Sequence, residues 1–175
     1  MRAFIALDIP NKCTNEIAVL SKQLSSKISG RFMMRETFHV TLAFLGDVTD
    51  SQASDVIKIM DSVIPYSQKI TLNPTGLGKF GKPTDATLFL ELQLTDELNS
   101  LVTILRNKLQ QKAIHFDQKK FRPHITLARR ASIPKQAMPQ LYFPVQSRAE
   151  AVTLYKSTLT QQGAQYKALY SLDLP

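Results

Sequence analysis

The chain has little with which to staple itself. Its 175 residues include one cysteine, Cys13, so no internal disulfide can form, and no Cys/His spacing resembles a structural zinc site. Such usage fits a reducing compartment. Long apolar runs are also missing. The opening MRAFIALDIP sets one arginine before a short apolar run that Asp8 interrupts, too short for a signal-peptide core or for a membrane span. A cytoplasmic protein without membrane contact is expected. No tract is low in complexity and no stretch reads as a linker, so residues 1–175 are expected to form one domain, with a monomer as the default. Histidine is scarce too: there are three in all, few enough to be weighed one by one.

Positive charge is in surplus. Lys and Arg number 22 against 14 Asp and Glu, a formal charge of +8. The excess suits a phosphate-bearing or nucleic-acid partner without identifying one. Its placement says more: Arg31 and Arg35 precede His39, while Lys119, Lys120, Arg122, Arg129 and Arg130 bracket His124.

Alternation predicts a strand over 2–9, closed by Pro10-Asn11, and then a helix over about 12–28 with Ile17, Leu20, Leu24 and Ile28 on its buried face. A strand follows over about 38–45, ended by Gly46-Asp47. A second helix is expected from Thr49 or Asp50 to Val63, with Val56, Ile57, Met60 and Ile64 inward and Pro65 as its stop. KITLNPTGLG reads as a strand and turn, ATLFLELQL (86–94) as a strand, and Thr95 as the cap of a third helix bearing Leu98, Leu101, Val102, Leu105 and Leu109. A basic loop leads to RPHITLARR. Residues 131–140, with Pro134 and Pro139, read as a loop, and AEAVTLYKST and QYKALYSLDL as two closing strands around QQGA.

A repeat underlies this order. HVTL at 39–42 returns as HITL at 124–127, 85 residues later. The same shift carries Phe4 onto Phe89, Leu7 onto Leu92 and Ile9 onto Leu94, and then Ile17, Leu20 and Leu24 onto Val102, Leu105 and Leu109. Strand, helix and histidine strand therefore recur as a unit, and similar halves tend to pack about a pseudo-twofold axis that brings the two histidine strands together.

Within each such strand, side chains alternate faces. His39 and Thr41 point one way and Val40 and Leu42 the other; His124 and Thr126 stand likewise against Ile125 and Leu127. Taken alone, either histidine is most simply a hydrogen-bonded core residue. Paired and repeated, two imidazoles and two hydroxyls suit phosphodiester hydrolysis, with one histidine taking a proton, one giving a proton, and donors holding the phosphate oxygens. Nothing in the sequence tells acid from base. A metal centre is the rival chemistry, but two histidines without a neighbouring carboxylate or cysteine do not complete a shell, so no metal or cofactor is expected. His115 lacks the motif and reads as structural or surface. Cys13 sits in a helix without a paired histidine and reads as a bystander. In a regular strand Arg130 faces the groove and Arg129 faces away unless a bulge intervenes. Phe44 and Tyr155 are candidates to stack on a base, set against the commoner role of strand aromatics as core.

At this point the chain resembles a known family. RAFIALDIP, FHVTLAFLGDV, RPHITLAR and VTLYKSTLTQQGAQYKAL, in that order and over nearly its whole length, are similar to the LigT-like branch of the two-histidine (2H) phosphoesterases, RNA 2′,3′-cyclic phosphodiesterases once described as 2′-5′ RNA ligases. The resemblance implies an α+β, bilobal fold whose antiparallel sheets face a central cleft, with helices outside and no metal. It implies hydrolysis of an RNA or nucleotide 2′,3′-cyclic phosphate to a 2′-phosphomonoester. It also implies His39 as general acid, His124 as general base, Thr41 and Thr126 as phosphate holders, and Arg129 as a further phosphate contact. Two alternatives stay open: 2′-5′ ligation or 2′-5′ oligonucleotide cleavage at the same site, and a groove that binds an RNA end without turning it over.

Overall fold

The computed structural model describes residues 1–135 and 141–175. Its elements run β1 (Arg2–Asp8), α1 (Asn11–Ser25), β2 (Ser29–Phe32), β3 (Val40–Asp47), α2 (Asp50–Val63), β4 (Thr71–Leu72), β5 (Pro74–Lys82) and β6 (Asp85–Leu92). Then follow α3 (Asp96–Gln111), β7 (His124–Ser132), β8 (Ser147–Arg148), β9 (Ala151–Thr160) and β10 (Gly163–Asp173). The strands form a sheet ordered β10-β9-β1-β3, a second ordered β2-β7-β6-β5, and a small β4-β8 pair. Every pairing is antiparallel. The fold is α+β, with two similar halves that each supply one histidine strand. No described helix is long and apolar enough to cross a membrane.

The helices form where periodicity and caps agree. Thr49 accepts from the Gln52 amide while its own amide donates to the Gln52 side chain, a capping box that starts α2. Thr95 caps α3 in the same way from its side chain. The buried stripe of α2 is Ala53, Val56, Ile59, Met60 and Val63, so Ile59 takes the inward place expected of Ile57, which is only partly buried. α1 ends at Ser25, three residues early, where the Ser25 and Ser26 hydroxyls bond the carbonyls of Lys22 and Gln23. Ile28 is still buried, from the turn beyond.

The three helix stripes and the inward faces of both sheets share one apolar core that contains Val40, Leu42, Ile125 and Leu127. Phe4 and Phe89 are equally buried yet lie outside that core. They belong to the sheets' other faces, beside the histidines.

Three strand expectations need correction. β2 pairs with β7, in the sheet of the other half; it is short and exposed, so it carries no alternation to read. Gly30 within it allows close approach, since a Cβ there would lie 2.9 Å from the Ala131 Cα. The turn expected in PTGLG is instead strand β5, which pairs with β6 throughout. Gly78 is there because the Phe89 ring fills the space of its missing side chain: a Cβ would overlap the ring. The loop expected over 131–140 begins later, because Ala131 and Ser132 complete β7; residues 136–140, Pro139 among them, lie outside the described residues.

The shift of 85 holds for the histidine strands but slips across the strand pair. Thr41 stands opposite Ala6, whereas Thr126 stands opposite Phe89 in place of Glu91. A two-residue slip preserves which face each side chain occupies, so the burial pattern survives it. Leu94 does not follow Ile9 inward and is 40 % exposed.

Both histidine strands bulge at the same place. The register of β3 breaks at Leu42 and that of β7 at Leu127, 85 residues apart. The bulge carbonyls are satisfied: the Arg106 guanidinium from α3 donates twice to the Leu42 carbonyl, from Nε at 3.1 Å and Nη2 at 3.0 Å, and the Met33 amide donates to the Leu127 carbonyl at 2.8 Å.

Candidate active site

His39 and His124 are held by one local device. In each, Nδ1 lies 2.6 Å from the carbonyl oxygen two residues earlier, Thr37 for His39 and Arg122 for His124. A carbonyl only accepts, so Nδ1–H donates and the neutral ring keeps its lone pair on Nε2. The helical turn Arg35–Thr37 presents the first carbonyl, and Pro123 keeps Arg122 out of helical conformation for the second. The Thr41 hydroxyl lies 2.9 Å from His39 Nε2 and donates to it when the ring is neutral.

Aromatic rings set both imidazoles. Phe4 lies 4.9 Å from His39 and Tyr166 meets it edge-on at 5.3 Å; Phe89 lies 4.9 Å from His124 and Phe80 meets it edge-on at 5.1 Å. Burial therefore pushes both histidines below the usual imidazole range. Against burial, the Thr37 carbonyl and the Asp8 carboxylate favour the protonated form of His39, while His124 and Arg129 oppose it. At His124 the Arg122 carbonyl and Glu91 favour the proton, and the Arg122 and Arg129 guanidinium groups oppose it. Burial thus favours the neutral form of both rings in the free protein.

His39, Thr41, His124 and Thr126 line one groove of about 400 Å³, joined by Phe44 and Arg129. The bulge explains Arg129. An extra residue at Leu127 turns Ala128 inward, and Arg129 swings to the groove face. Arg130 does not follow the regular-strand expectation: it adopts a left-handed conformation with φ +52° and points out of the groove toward Asp85, 3.7 Å away. Phe44 is at the groove as expected, with the Arg2 guanidinium 4.7 Å above its ring centre.

Tyr155 does not line the groove. Its ring stacks behind Phe4 at 5.4 Å, and its hydroxyl donates to the Asp8 carboxylate, which also accepts from Thr153. Burial and that carboxylate raise the phenol far above its ordinary range. The tyrosine at the groove is Tyr166, from β10. Sequence reasoning missed both it and Arg2; Arg2 carried a signal, an even offset from Phe4 on the same strand face, and Tyr166 carried none. His115 is exposed on the surface, and Cys13 is buried, its thiol pushed up by that burial. Among the described residues, no group of three or more His, Cys, Asp or Glu is placed to hold a metal ion.

Two antiparallel sheets that each bring one His-x-Thr pair to a shared groove define a two-histidine phosphoesterase. A family model described as the 2′-5′ RNA ligase superfamily matches residues 16–161, and the chain belongs to that superfamily. An RNA 2′,3′-cyclic phosphodiesterase of Thermotoga maritima is 28% identical over 176 residues, covering 97% of this chain and 94% of its own. Its counterpart in Escherichia coli K12 is 24% identical over 169 residues, covering 96% and 93%. The crystal structure of E. coli LigT in apo form superposes with a TM-score of 0.82 at 25% identity, over 99% of this chain and 96% of that one. The crystal structure of TT0787 from Thermus thermophilus shares the fold, with a TM-score of 0.86 at 23% identity over 99% and 98%.

Proposed function

We propose that the chain, acting as one unit over residues 1–175, hydrolyses the 2′,3′-cyclic phosphate of an RNA end or nucleotide to a 2′-phosphomonoester without a metal ion. The enzyme class, a cyclic phosphodiesterase of the phosphoric diester hydrolases, rests on the family and on curated relatives of that name. The observation that carries the chemistry is the matched pair of imidazoles at one groove, each with Nδ1–H tied to a carbonyl, so that Nε2 is the nitrogen that exchanges protons, with the Thr41 hydroxyl beside that of His39.

In the reaction, water attacks phosphorus and its proton passes to His124 Nε2. The bond from phosphorus to the 3′ oxygen breaks, and that oxygen takes the proton from His39 Nε2–H. The assignment of acid and base follows the family resemblance. Burial opposes a proton on either ring and Arg129 opposes both; Asp8 favours one on His39, while at His124 the Arg122 guanidinium opposes one and its salt-bridge partner Glu91 favours one. The substrate's negative charge adds to Asp8, so binding draws a proton onto His39. Once Nε2 carries that proton, the Thr41 hydroxyl no longer has a lone pair to serve and turns its own hydrogen to a phosphate oxygen. Thr126 and Arg129 hold the others, where charge accumulates.

The test is turnover of adenosine 2′,3′-cyclic phosphate in EDTA, followed by phosphorus NMR. The expected product is adenosine 2′-phosphate. A 3′-phosphate would reverse the leaving oxygen, and activity abolished by the chelator and restored by a divalent ion would contradict metal-free hydrolysis.

A further inference from the structure

The groove holds more positive charge than one phosphate needs. Arg2, Arg31 and Arg129 all line it. Arg31 and Arg129 stand directly opposite each other on the paired strands β2 and β7, a position where like charges repel. Among the described residues none of the three forms a salt bridge, whereas Arg122 pairs with Glu91 at 3.0 Å and Arg130 with Asp85 at 3.7 Å. Arg2 reaches the groove from the opposite sheet, lying over Phe44. Guanidinium groups gathered this way repel in the empty groove, and an anion among them removes the penalty. The reacting phosphate, held by Thr41, Thr126 and Arg129, leaves Arg31 and Arg2 without an anionic partner.

We propose that Arg31 and Arg2 hold the phosphodiester that precedes the cyclic phosphate in an RNA strand, which makes the 3′ end of a polynucleotide the preferred substrate over a mononucleotide. This rests on the catalytic reading above and adds a second phosphate subsite to it. The groove, about 400 Å³, is in the range of sites that enclose a whole small ligand. Contacts to a phosphodiester carry no base information, so the preference is one of length and not of sequence.

The test compares kcat/KM for adenosine 2′,3′-cyclic phosphate with that for the dinucleotide ApA ending in the same cyclic phosphate. Wild type favours the dinucleotide by about tenfold, the effect of one charge-assisted contact. Arg31→Gln and Arg2→Gln each reduce this ratio, and Arg31→Lys, which keeps the charge, retains most of it. Raising salt erodes the dinucleotide rate more steeply, by roughly 0.7 in the log–log slope for one added phosphate contact on a single strand. A wild-type ratio near one, or glutamine variants that slow both substrates by the same factor, would overturn the proposal. Dissociation constants for the products, adenosine 2′-phosphate and ApA 2′-phosphate, give the same ratio without turnover. Failure of wild type to hydrolyse either substrate would therefore sink the catalytic reading, while the affinity ratio would still decide the subsite.

Discussion

The two histidines share one backbone tether and differ in what else surrounds them. Each donates its Nδ1–H to the carbonyl two residues back, so the tautomer is the same in both; the Thr41 hydroxyl at His39 Nε2 and the nearby charges differ. Because both titrate below the ordinary imidazole range in the free protein, kcat/KM should follow a bell centred on the acid side of about pH 6.5. The bell for kcat should lie at higher pH, since bound phosphate raises the affinity of His39 for its proton. Arg122→Gln removes a positive charge beside His124, raises that ring's proton affinity and moves the acid limb of kcat/KM to higher pH. Asp8→Asn lowers the proton affinity of His39 and moves the alkaline limb to lower pH. A pH–rate series on the three proteins checks both, and unmoved limbs would break the assigned asymmetry. Tyr155→Phe serves as a contrast. It loses a hydrogen bond to Asp8 and about 1–2 kcal/mol of stability by denaturant unfolding, with kcat/KM close to that of wild type. At this scale the four motif residues were legible because strand alternation and repetition are both properties of sequence. Tyr155 was misplaced for a definite reason: alternation gives a face, but which aromatic lies in front and which behind depends on the neighbouring strand, here Phe4 lying over Tyr155.

Among the elements, the histidine strands depend on paired bulges and on what fills the space behind them. Gly78 in β5 leaves room for the Phe89 ring, which packs against His124. Since Phe89 is fully buried and cannot swing away, Gly78→Ala should cost about 1–3 kcal/mol of stability and lower kcat by displacing the ring. Gly78→Ala together with Phe89→Leu should recover part of the stability, by urea titration, without recovering kcat. Arg106 has a comparable task in the other half. Arg106→Leu strands the Leu42 carbonyl and should cost about 1–3 kcal/mol in the same assay. Helices were the most legible elements, because their caps and stripes are local. β2 was not, since a four-residue strand with three exposed residues, paired with a distant strand, leaves no periodic trace. Arg129 and Arg130 exchanged places because alternation assumes an unbroken ladder, and neither bulge carries a glycine to announce it.

For the whole molecule, folding brings two imidazoles from strands 85 residues apart into one partly desolvated groove, and this has a consequence for stability. An unfolded histidine takes its proton near pH 6.5, whereas His39 and His124 in the folded chain resist theirs to lower pH. Between those values the unfolded state binds more protons, so stability is full above about pH 6.5 and falls as pH drops toward the folded pKa values. Urea midpoints should decline from about pH 7.5 to about pH 5.5, and a His39→Gln, His124→Gln double variant should show a shallower decline. The pseudo-twofold plan was legible from the repeat. Its execution was not, because β2 crosses to the sheet of the other half and the two strand pairs differ by a two-residue slip that sequence periodicity cannot register.

The pairing of the histidines is tested most directly by single-turnover hydrolysis of adenosine 2′,3′-cyclic phosphate in EDTA by wild type, His39→Ala and His124→Ala. Loss of general acid or general base should lower the rate of each variant by about 10²–10⁴, with the fold intact by circular dichroism, while wild type turns over fully. Either variant keeping wild-type activity would contradict the two-histidine mechanism.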